Sequence, residues 1–330
     1  MDKEISYDDK ILIAGGGGLA GNAILRSLQK YGYGEAKLGG KLFSPKRNEL
    51  NFLHRDKVNQ WFDINQPNVV VIAAAKVGGI FANDSYPADF LLENLKIQTN
   101  LIEIAWERNV KKLLFLGSNC IYPKYSKQPM KEESLLTGSL EETNQWYAIA
   151  KIAGIKLCES YNRQYGLNYL SVMPSNLYGP GDNYDLKNSH VIPALIRKFY
   201  EAKTEGLPFV NIWGSGKPLR EFLHVDDLAE ALLVAFDDKN KIFFESLSET
   251  CSHINIGSGR EISISDLAIL VKDIFSYDGK IKFDNSMPDG TMRKLLDISK
   301  ITDLGWEPKI SLRDGLRRVI KDYIKEQTYS

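Results

Sequence analysis

The sequence predicts an α/β fold, a doubly wound parallel sheet of the Rossmann type followed by a smaller α/β domain. Three observations support this prediction. Strand-like and helix-like segments alternate through the first half of the chain, a glycine-rich turn joins the first strand to the first helix, and several strands are continuous apolar runs. For 330 residues we expect two domains, residues 1–175 with returns near residues 220–258, and mainly residues 176–330.

The glycine-rich turn follows a buried strand over residues 10–14 and precedes a helix over residues 22–28. Glycine at this spacing permits a tight turn, a close approach of the backbone to a pyrophosphate, and close packing of the helix on the sheet. The helix N-terminus adds N–H groups that bind anions. We therefore predict a dinucleotide site in this turn, formed by Gly15, Gly16, Gly17, Gly18, Leu19, Ala20 and Gly21. The alternative is a glycine loop without a ligand.

The second strand, predicted over residues 41–44, is followed by Lys46 and Arg47. These two cations could hold the 2′-phosphate of NADP, or they could simply be solvated. The competing interpretation is Glu35, which lies about 20 residues after the first glycine, where NAD enzymes keep a carboxylate for the ribose. Because Glu35 precedes the predicted strand, we favour NADP(H) as the cofactor and include Arg47 in its site.

The next elements continue the alternation. We predict a helix over residues 56–66, a strand over 68–75, a long helix after residue 87, a strand over 112–116, a second long helix over 141–165, and a strand over 169–173. Both long helices carry apolar residues on more than one stripe. This pattern favours a homodimer, although both helices could instead be buried within one chain.

Two pairs of reactive side chains lie within this half. Tyr147 and Lys151 are four residues apart on a helix, so both project from one face within about 6 Å. A neighbouring ammonium is expected to lower the pKa of a phenol. Ser118 and Cys120 follow the strand over 112–116, and side chains two apart leave a strand on the same side. The sequence therefore predicts one cavity with all four side chains, although a Tyr-x-x-x-Lys pair alone often occurs by chance.

The C-terminal half has more loops, cations and aromatic residues. A rigid polar loop covers residues 174–181, and His190 precedes a predicted helix. Asp226 is the predicted N-cap of a helix that ends at residue 236. Short strands are expected over 254–257 and 280–283, a turn over 287–291, and a terminal amphipathic helix over 314–327. Such a composition of loops, cations and aromatic residues is typical of a domain that covers a substrate at the edge of the sheet.

Composition excludes several classes of protein. Lysine plus arginine and aspartate plus glutamate number 42 each, so net charge gives no case for binding nucleic acid or an anionic membrane. No apolar run reaches the roughly 18 residues that span a bilayer, and the first residues do not resemble a secretory signal. We expect a cytoplasmic protein. Its three cysteines, Cys120, Cys158 and Cys251, lack metal-type spacing, which predicts reduced thiols and no metal.

Several segments resemble the extended short-chain dehydrogenase/reductases, and within them the branch that acts on GDP-4-keto-6-deoxy-D-mannose. The similar segments are residues 73–80, 116–123, 147–159, 176–180, 189–194 and 289–297. Tyr-x-x-x-Lys marks the whole superfamily, whereas Ser-x-Cys-Ile-Tyr-Pro and Asn-Ser-His-Val-Ile-Pro are specific to this branch. Asn119 stands where that branch usually has a small residue.

The resemblance implies NADPH-dependent 3,5-epimerisation and 4-reduction of GDP-4-keto-6-deoxy-D-mannose, or a close GDP-ketosugar, to GDP-L-fucose. It implies that Cys120 is the base and His190 the acid of epimerisation, and a nearby cation could lower the pKa of the thiol. Tyr147 would protonate the C4 oxygen, Ser118 would hydrogen-bond it, and Lys151 would hold the nicotinamide ribose. Further implied cofactor residues are Leu116, Gly117, Pro174, Ser175, Asn176, Leu177 and His190. Implied substrate residues are Lys198, Trp213, Arg220 and Asp289.

Other functions and roles stay open. A GDP-colitose-type synthase would act on a dideoxy ketosugar, and an NAD-retaining 4-epimerase would not need the pair formed by Cys120 and His190. A cofactor-sensing binding protein would not require Ser118, Tyr147 and Lys151. Among single residues, Cys120 could be a core residue, His190 could bond only to backbone at a helix start, and Trp213 could simply pack.

Overall fold

A computed structural model describes residues 5–186, 189–236, 252–287 and 289–329. Within these ranges the strands are β1 (Lys10–Ala14), β2 (Lys41–Phe43), β3 (Val69–Ile72), β4 (Lys112–Leu116), β5 (Tyr169–Pro174), β6 (Asn176–Tyr178), β7 (Phe209–Trp213), β8 (Leu219–His224), β9 (His253–Ile256), β10 (Glu261–Ser263), β11 (Lys280–Asp284) and β12 (Arg293–Lys294). The helices are α1 (Leu19–Lys30), α2 (Arg55–Asn65), α3 (Ile80–Ser85), α4 (Pro87–Glu107), α5 (Gln145–Tyr165), α6 (Val191–Thr204), α7 (Val225–Phe236), α8 (Ile264–Phe275), α9 (Ser299–Asp303) and α10 (Leu312–Tyr329).

The main sheet has six parallel strands in the order β2-β1-β3-β4-β5-β9. β2 pairs with one edge of β1, and β3 pairs with its other edge. β4, β5 and β9 then follow in order beyond β3. In such a sheet the crevice for ligands lies at the carboxyl ends of the two strands where the direction of winding reverses, here β1 and β3. The order of the strands therefore predicts that the cavity lies at the carboxyl ends of β1 and β3.

Helices cover both faces of this sheet. Leu12 and Ala14 of β1 pack into a core with α2, α4 and α5, whereas Ile11 and Ile13 pack on the other face with α1 and α7. Alternate side chains of one strand are buried on opposite faces, which explains the continuous apolar runs in the sequence. The predicted doubly wound α/β fold is confirmed.

A third hydrophobic core lies in the C-terminal half, between α6, α8, α10 and the parallel pair of β7 and β11. Next to it, β8 pairs with β6, β10 and β12. The chain also returns to the main sheet, because β9 pairs with β5 and α7 packs against α1. The proposed domain boundary at residue 175 stays a prediction.

Several predicted elements differ in detail. Helix α5 begins at Gln145 rather than at residue 141. The prediction that Asp226 is the N-cap of α7 is wrong. The helix already includes Val225, the Nδ1 atom of His224 accepts a hydrogen bond from the Asp226 N–H at 3.2 Å, and the carboxylate of Asp226 pairs with Arg26 at 2.6 Å. Cys251 and residue 288 of the predicted turn lie outside the described residues.

The helices in the described ranges include none that is both long enough and apolar enough to span a lipid bilayer.

Candidate active site

A cavity of about 700 Å³ lies at the carboxyl ends of β1, β3, β4 and β5. Many residues predicted for the cofactor or for catalysis share its wall, and they are Gly15, Gly17, Gly18, Leu19, Ala20, Gly21, Arg47, Gly117, Ser118, Tyr147, Pro174, Ser175, Asn176, Leu177 and His190. Four predicted residues, Gly16, Leu116, Cys120 and Lys151, lie outside this wall. The strand ends therefore bring together residues from distant parts of the sequence.

The glycine turn forms a cradle for a phosphate group. Gly15 has φ +88°, and a Cβ atom there would lie 2.6 Å from the backbone nitrogen of Ala74. A Cβ atom at Gly21 would lie 2.2 Å from the carbonyl oxygen of Gly15, whereas one at Gly17 would meet no protein atom within 4 Å. Helix α1 begins at Leu19 without a side-chain cap, so the N–H groups of its first turn face an anion site. These features fit a dinucleotide pyrophosphate.

The residues near β2 favour one of the two interpretations of the ribose site. Lys46 and Arg47 line the cavity, and Nη2 of Arg47 lies 3.6 Å from a carboxylate oxygen of Glu93. Glu35 precedes a short 3₁₀ turn, pairs with Lys37 at 2.6 Å, and does not line the cavity. The structure therefore does not support the alternative in which Glu35 binds the ribose of NAD.

Tyr147 and Lys151 lie on one face of α5, as their spacing predicts, and Nζ of Lys151 is 5.7 Å from the centre of the Tyr147 ring. Lys151 is buried, and its Nζ donates a hydrogen bond to the carbonyl oxygen of Leu116 at 2.7 Å. This bond connects α5 to the end of β4. The ammonium group lies behind the cavity wall, and its predicted contact with a ribose stays a prediction.

Burial controls the protonation of this pair. It raises the pKa of the half-buried Tyr147 phenol, and the nearby Cys120 thiol acts in the same direction. It lowers the pKa of Lys151 to about 8. The expectation that Lys151 lowers the pKa of Tyr147 is wrong for this arrangement, because desolvation of the phenolate dominates and Lys151 is not among the groups that act on this pKa. The phenol is therefore protonated at neutral pH.

Cys120 lies in a 3₁₀ turn over Asn119–Ile121, with Ser118 as its N-cap. The strand ends at Leu116, so strand alternation does not extend to Cys120, and the expectation based on it is wrong. The thiol is buried, whereas Ser118 and Asn119 line the cavity. Burial raises the pKa of Cys120, against the opposing effects of Lys294, Ser118 and Lys151. The effect of nearby cations, which was expected to lower the pKa of the thiol, is therefore smaller than the effect of burial.

His190 is the N-cap residue of α6, but its side chain makes no capping hydrogen bond. The ring lines the cavity and is exposed to it, so the alternative of a purely backbone-bonding residue is not supported. The surrounding protein lowers the pKa of His190 by desolvation. At neutral pH the imidazole is mainly uncharged.

The predicted substrate residues form two groups that lie outside the wall of this cavity. In one, Nζ of Lys198 lies 5.2 Å from the ring centre of Trp213, whose residue is 51% exposed, which argues against simple packing of Trp213. In the other, Asp289 accepts hydrogen bonds from the N–H and the hydroxyl of Ser215 at 2.9 and 2.6 Å. The Asp289 carboxylate also favours the charged form of Arg220, against the burial that lowers the pKa of this guanidinium group.

Sequence reasoning assigned no role to three residues of this region. Asn83 on α3 and Asn119 line the cavity, and Lys294 on β12 is the cation with the largest opposing effect on the raised pKa of Cys120. Lys294 belongs to a strand of two residues, which is too short for a periodic signal. Over the described ranges, no group of three or more His, Cys, Asp or Glu side chains is arranged to bind a metal ion.

The glycine cradle on a parallel sheet, with Ser118 and Tyr147 in the same cavity, defines an extended short-chain dehydrogenase/reductase. Residues 11–257 match the NAD dependent epimerase/dehydratase family, and the chain belongs to this family.

Comparisons with individual proteins agree with this assignment. The chain is 52% identical over 316 residues to GDP-L-fucose synthase 1 of Arabidopsis thaliana, covering 96% of this chain and 93% of that protein. It is 50% identical over 318 residues to GDP-L-fucose synthase of Escherichia coli strain K12, covering 96% and 97%. The solved structure of MlghC, a GDP-mannoheptose C4 reductase from Campylobacter jejuni with NADP bound, has a TM-score of 0.85 at 40% identity, covering 97% of this chain and 99% of that one.

Proposed function

We propose that this chain is an NADPH-dependent enzyme that epimerises GDP-4-keto-6-deoxy-D-mannose at C3 and C5 and reduces it at C4 to GDP-L-fucose. The observation that carries the proposal is one cavity that joins a dinucleotide cradle to Ser118, Tyr147 and His190. Relatives that are 50–52% identical over nearly the whole chain are named GDP-L-fucose synthase. The fold alone would not identify the substrate.

The cofactor is NADP(H). A reductase that is 40% identical to this chain has a structure with NADP bound, and the likeness covers 97% of this chain. Residues of the glycine turn would approach the pyrophosphate, and Arg47, together with Lys46, would hold the adenosine 2′-phosphate, since these residues line the cavity. The bound nicotinamide supplies the hydride that C4 receives.

Epimerisation needs a base and an acid on opposite faces of the sugar ring. The C4 ketone acidifies the protons on C3 and C5, so removal of each proton gives an enolate. Cys120 takes the proton as a thiolate, and His190 returns a proton to the opposite face of the same carbon. Lys294 and Lys151 support the thiolate, because their charges oppose the rise in the pKa of Cys120.

Reduction needs a proton at the C4 oxygen as hydride reaches C4. Tyr147 donates its phenolic proton, which it retains at neutral pH because burial raises its pKa. Ser118 donates a hydrogen bond to the same oxygen. Lys151, on the adjacent turn of α5, would hold the cofactor ribose, in addition to its support of the Cys120 thiolate.

The nucleotide half of the substrate lies along the C-terminal half of the chain. Lys198 and Arg220 face the diphosphate, Trp213 packs on an apolar ring face, and Asp289 accepts hydrogen bonds from the sugar or base. The support is that they form two groups outside the cavity wall, Lys198 with Trp213 of β7 and Asp289 with Arg220 of β8.

We also propose a cytoplasmic homodimer formed through α4 and α5. These helices pack against each other within one chain, yet Leu92 of α4 and Trp146 and Ile149 of α5 are 53%, 38% and 40% exposed. Apolar residues on adjacent outer faces favour association with a second copy. A single monomeric species in sedimentation equilibrium at micromolar concentration would contradict the dimer.

The decisive experiment is to mix the purified protein with GDP-4-keto-6-deoxy-D-mannose and either NADPH or NADH, and to identify the sugar product by NMR. We expect GDP-L-fucose, formed faster with NADPH. A product that is reduced at C4 without inversion at C3 and C5 would contradict the proposal. A GDP-colitose-type synthase would instead prefer a dideoxy ketosugar, and a 4-epimerase would need no added NADPH.

A further inference from the structure

Three buried polar atoms without a hydrogen-bond partner belong to residues that line the cavity. They are Oδ1 of Asn83, Nδ2 of Asn119 and Oγ of Ser175. Buried polar atoms in folded proteins are nearly always paired, so unpaired ones in the wall of a cavity indicate groups that a ligand satisfies. Asn119 is the one among them that lies between two residues with proposed catalytic roles.

The backbone holds Asn119 firmly. It begins the 3₁₀ turn whose N-cap is Ser118, and this turn is closed by a hydrogen bond from the Ile121 N–H to the Ser118 carbonyl oxygen at 3.3 Å. Tyr122 follows the turn and donates a hydrogen bond to Oδ1 of Asn255 on β9 at 2.6 Å. The turn is thus tied to the main sheet on both sides, and the side chain of Asn119, which is only 6% exposed, has little freedom.

The amide of Asn119 matches a hydroxyl group. An amide carries an acceptor oxygen and a nitrogen with two donors, and rotation about the last side-chain bond exchanges the two. A hydroxyl group both donates and accepts, so it can pair with either atom. An apolar substituent such as a methyl group could pair with neither.

We infer that Asn119 is a specificity-determining residue that hydrogen-bonds the 3-hydroxyl group of the ketosugar. The inference rests on the proposed function, in which Ser118 contacts the C4 oxygen and Cys120 acts on the protons of C3 and C5. A residue between them faces the substituents next to C4. Among the exocyclic substituents of the two carbons that flank C4, C5 carries a methyl group and C3 carries a hydroxyl group, so the C3 hydroxyl is the one that can accept a hydrogen bond from the unpaired Nδ2 atom.

This contact provides a preference between two ketosugars. A substrate without the 3-hydroxyl would leave the amide unpaired, and sites built to bind a hydroxyl reject analogues that lack it. Asn119 therefore favours the 6-deoxy sugar over the 3,6-dideoxy sugar, the substrate type of the rival colitose-type synthase.

The test compares kcat/KM for GDP-4-keto-6-deoxy-D-mannose and GDP-4-keto-3,6-dideoxy-D-mannose, followed by oxidation of NADPH. We expect the unmodified protein to prefer the hydroxylated substrate on the order of 100-fold, the cost of leaving one buried polar group unpaired, and Asn119→Ala to reduce that ratio to about tenfold or less. Asn119→Ser, which places a shorter hydrogen-bonding group in the turn, is expected to give an intermediate ratio and is a second variant in case the alanine variant does not fold. Ser27→Ala is the matched control, because Ser27 is also buried with an unpaired oxygen but lies outside the cavity wall.

The outcomes separate this inference from the proposed function. If the protein makes GDP-L-fucose but both Asn119 variants keep the full preference, the inference is wrong and the proposed function stands. If Ser27→Ala changes the ratio as much as Asn119→Ala, the effect does not arise at the cavity and the inference is wrong. If the unmodified protein reduces neither ketosugar, both fail.

Discussion

At the scale of the residue, substitutions of Tyr147 and Cys120 distinguish the reduction at C4 from the epimerisation at C3 and C5. Tyr147→Phe removes the proton donor for C4, so we expect reduction to fall by at least about 1000-fold while exchange of the C3 and C5 protons with solvent deuterium continues. Cys120→Ala removes the base, and we expect exchange to be lost. Proton NMR in deuterium oxide measures both. Normal exchange in the Cys120→Ala protein would show that another group is the base.

The pH dependence of exchange follows from two shifted pKa values. His190 must be protonated and its pKa is lowered, whereas Cys120 must be deprotonated and its pKa is raised. As pH rises between the two values, the loss of imidazolium balances the gain of thiolate. We therefore expect a constant rate at least between about pH 6.5 and 8.5, with decreases on both sides.

Lys294→Met provides a check on the alkaline limit of this profile. Loss of the largest opposing charge raises the pKa of Cys120 further, so we expect the upper limit to move to higher pH. Lys300→Met is the control, since Lys300 pairs with Glu132 and Glu133 and is not among the charges with the largest effects on Cys120. An unchanged upper limit would show that Lys294 does not act on the base.

The sequence was sufficient to predict which residues are reactive, but not how deeply each of them is buried. The sequence indicated Ser118, Tyr147 and His190, and the structure brings them to one cavity. It could not indicate that Cys120 is buried and lies outside the cavity wall, because only two residues separate the end of β4 from a 3₁₀ turn. The pKa of Cys120 depends on its burial and on the charges of Lys294 on β12 and Lys151 on α5, and no local sequence pattern describes these tertiary effects.

At the scale of the element, β8 contains a carboxylate that ties three segments together. Glu221 is fully buried and accepts hydrogen bonds from the N–H groups of Gly259 at 2.7 Å and Leu296 at 2.9 Å. Leu296 follows β12, so this contact also fixes the strand with Lys294. Burial raises the pKa of Glu221 to about 7, despite these hydrogen bonds.

This carboxylate makes stability depend on pH. The folded protein binds the proton of Glu221 more tightly than the unfolded chain, so its favourable contribution is complete below about pH 4.5 and is lost as pH rises to about 7. We expect this group to lower the free energy of unfolding by ~3 kcal/mol over that interval. Urea denaturation of the unmodified protein and of Glu221→Gln at several pH values measures the difference. Equal pH slopes in the two proteins would contradict the assignment.

Elements differed in how far the sequence could predict them. β1, β3 and β4 are buried on both faces and have continuous apolar runs, so their positions were clear. The start of α5 was not, because the N–H of Thr143 bonds to the side chain of Glu141 at 3.2 Å, which competes with a helical turn. The two-residue β12 depends entirely on pairing with β8.

At the scale of the whole molecule, ligand binding should be visible as stability. NADP+ that binds only the folded protein raises the free energy of unfolding by about 2.7 kcal/mol at 100 times its Kd. We expect a rise of roughly 5 °C in Tm with NADP+ and a smaller rise with NAD+ at the same concentration. Arg47→Ala should remove most of the difference, because Arg47 is the proposed partner of the 2′-phosphate. Equal shifts with both nucleotides would contradict NADP preference.

The overall architecture was predictable because alternation of strands and helices admits few arrangements. The place of the cavity followed from the rule on strand ends. The positions of Lys198, Trp213, Arg220 and Asp289 could not be derived in the same way, because contacts between sequence-distant strands and loops of the C-terminal half bring them together.

The return of β9 to the main sheet has a consequence for any attempt to divide the chain. A fragment that ends at residue 175 would lose both the neighbour of β5 and the helix that packs on α1. Its last strand would present unpaired N–H and C=O groups next to bare apolar surface, which promotes aggregation. Swapping the C-terminal half between related enzymes therefore requires residues 225–256 to stay with the N-terminal half.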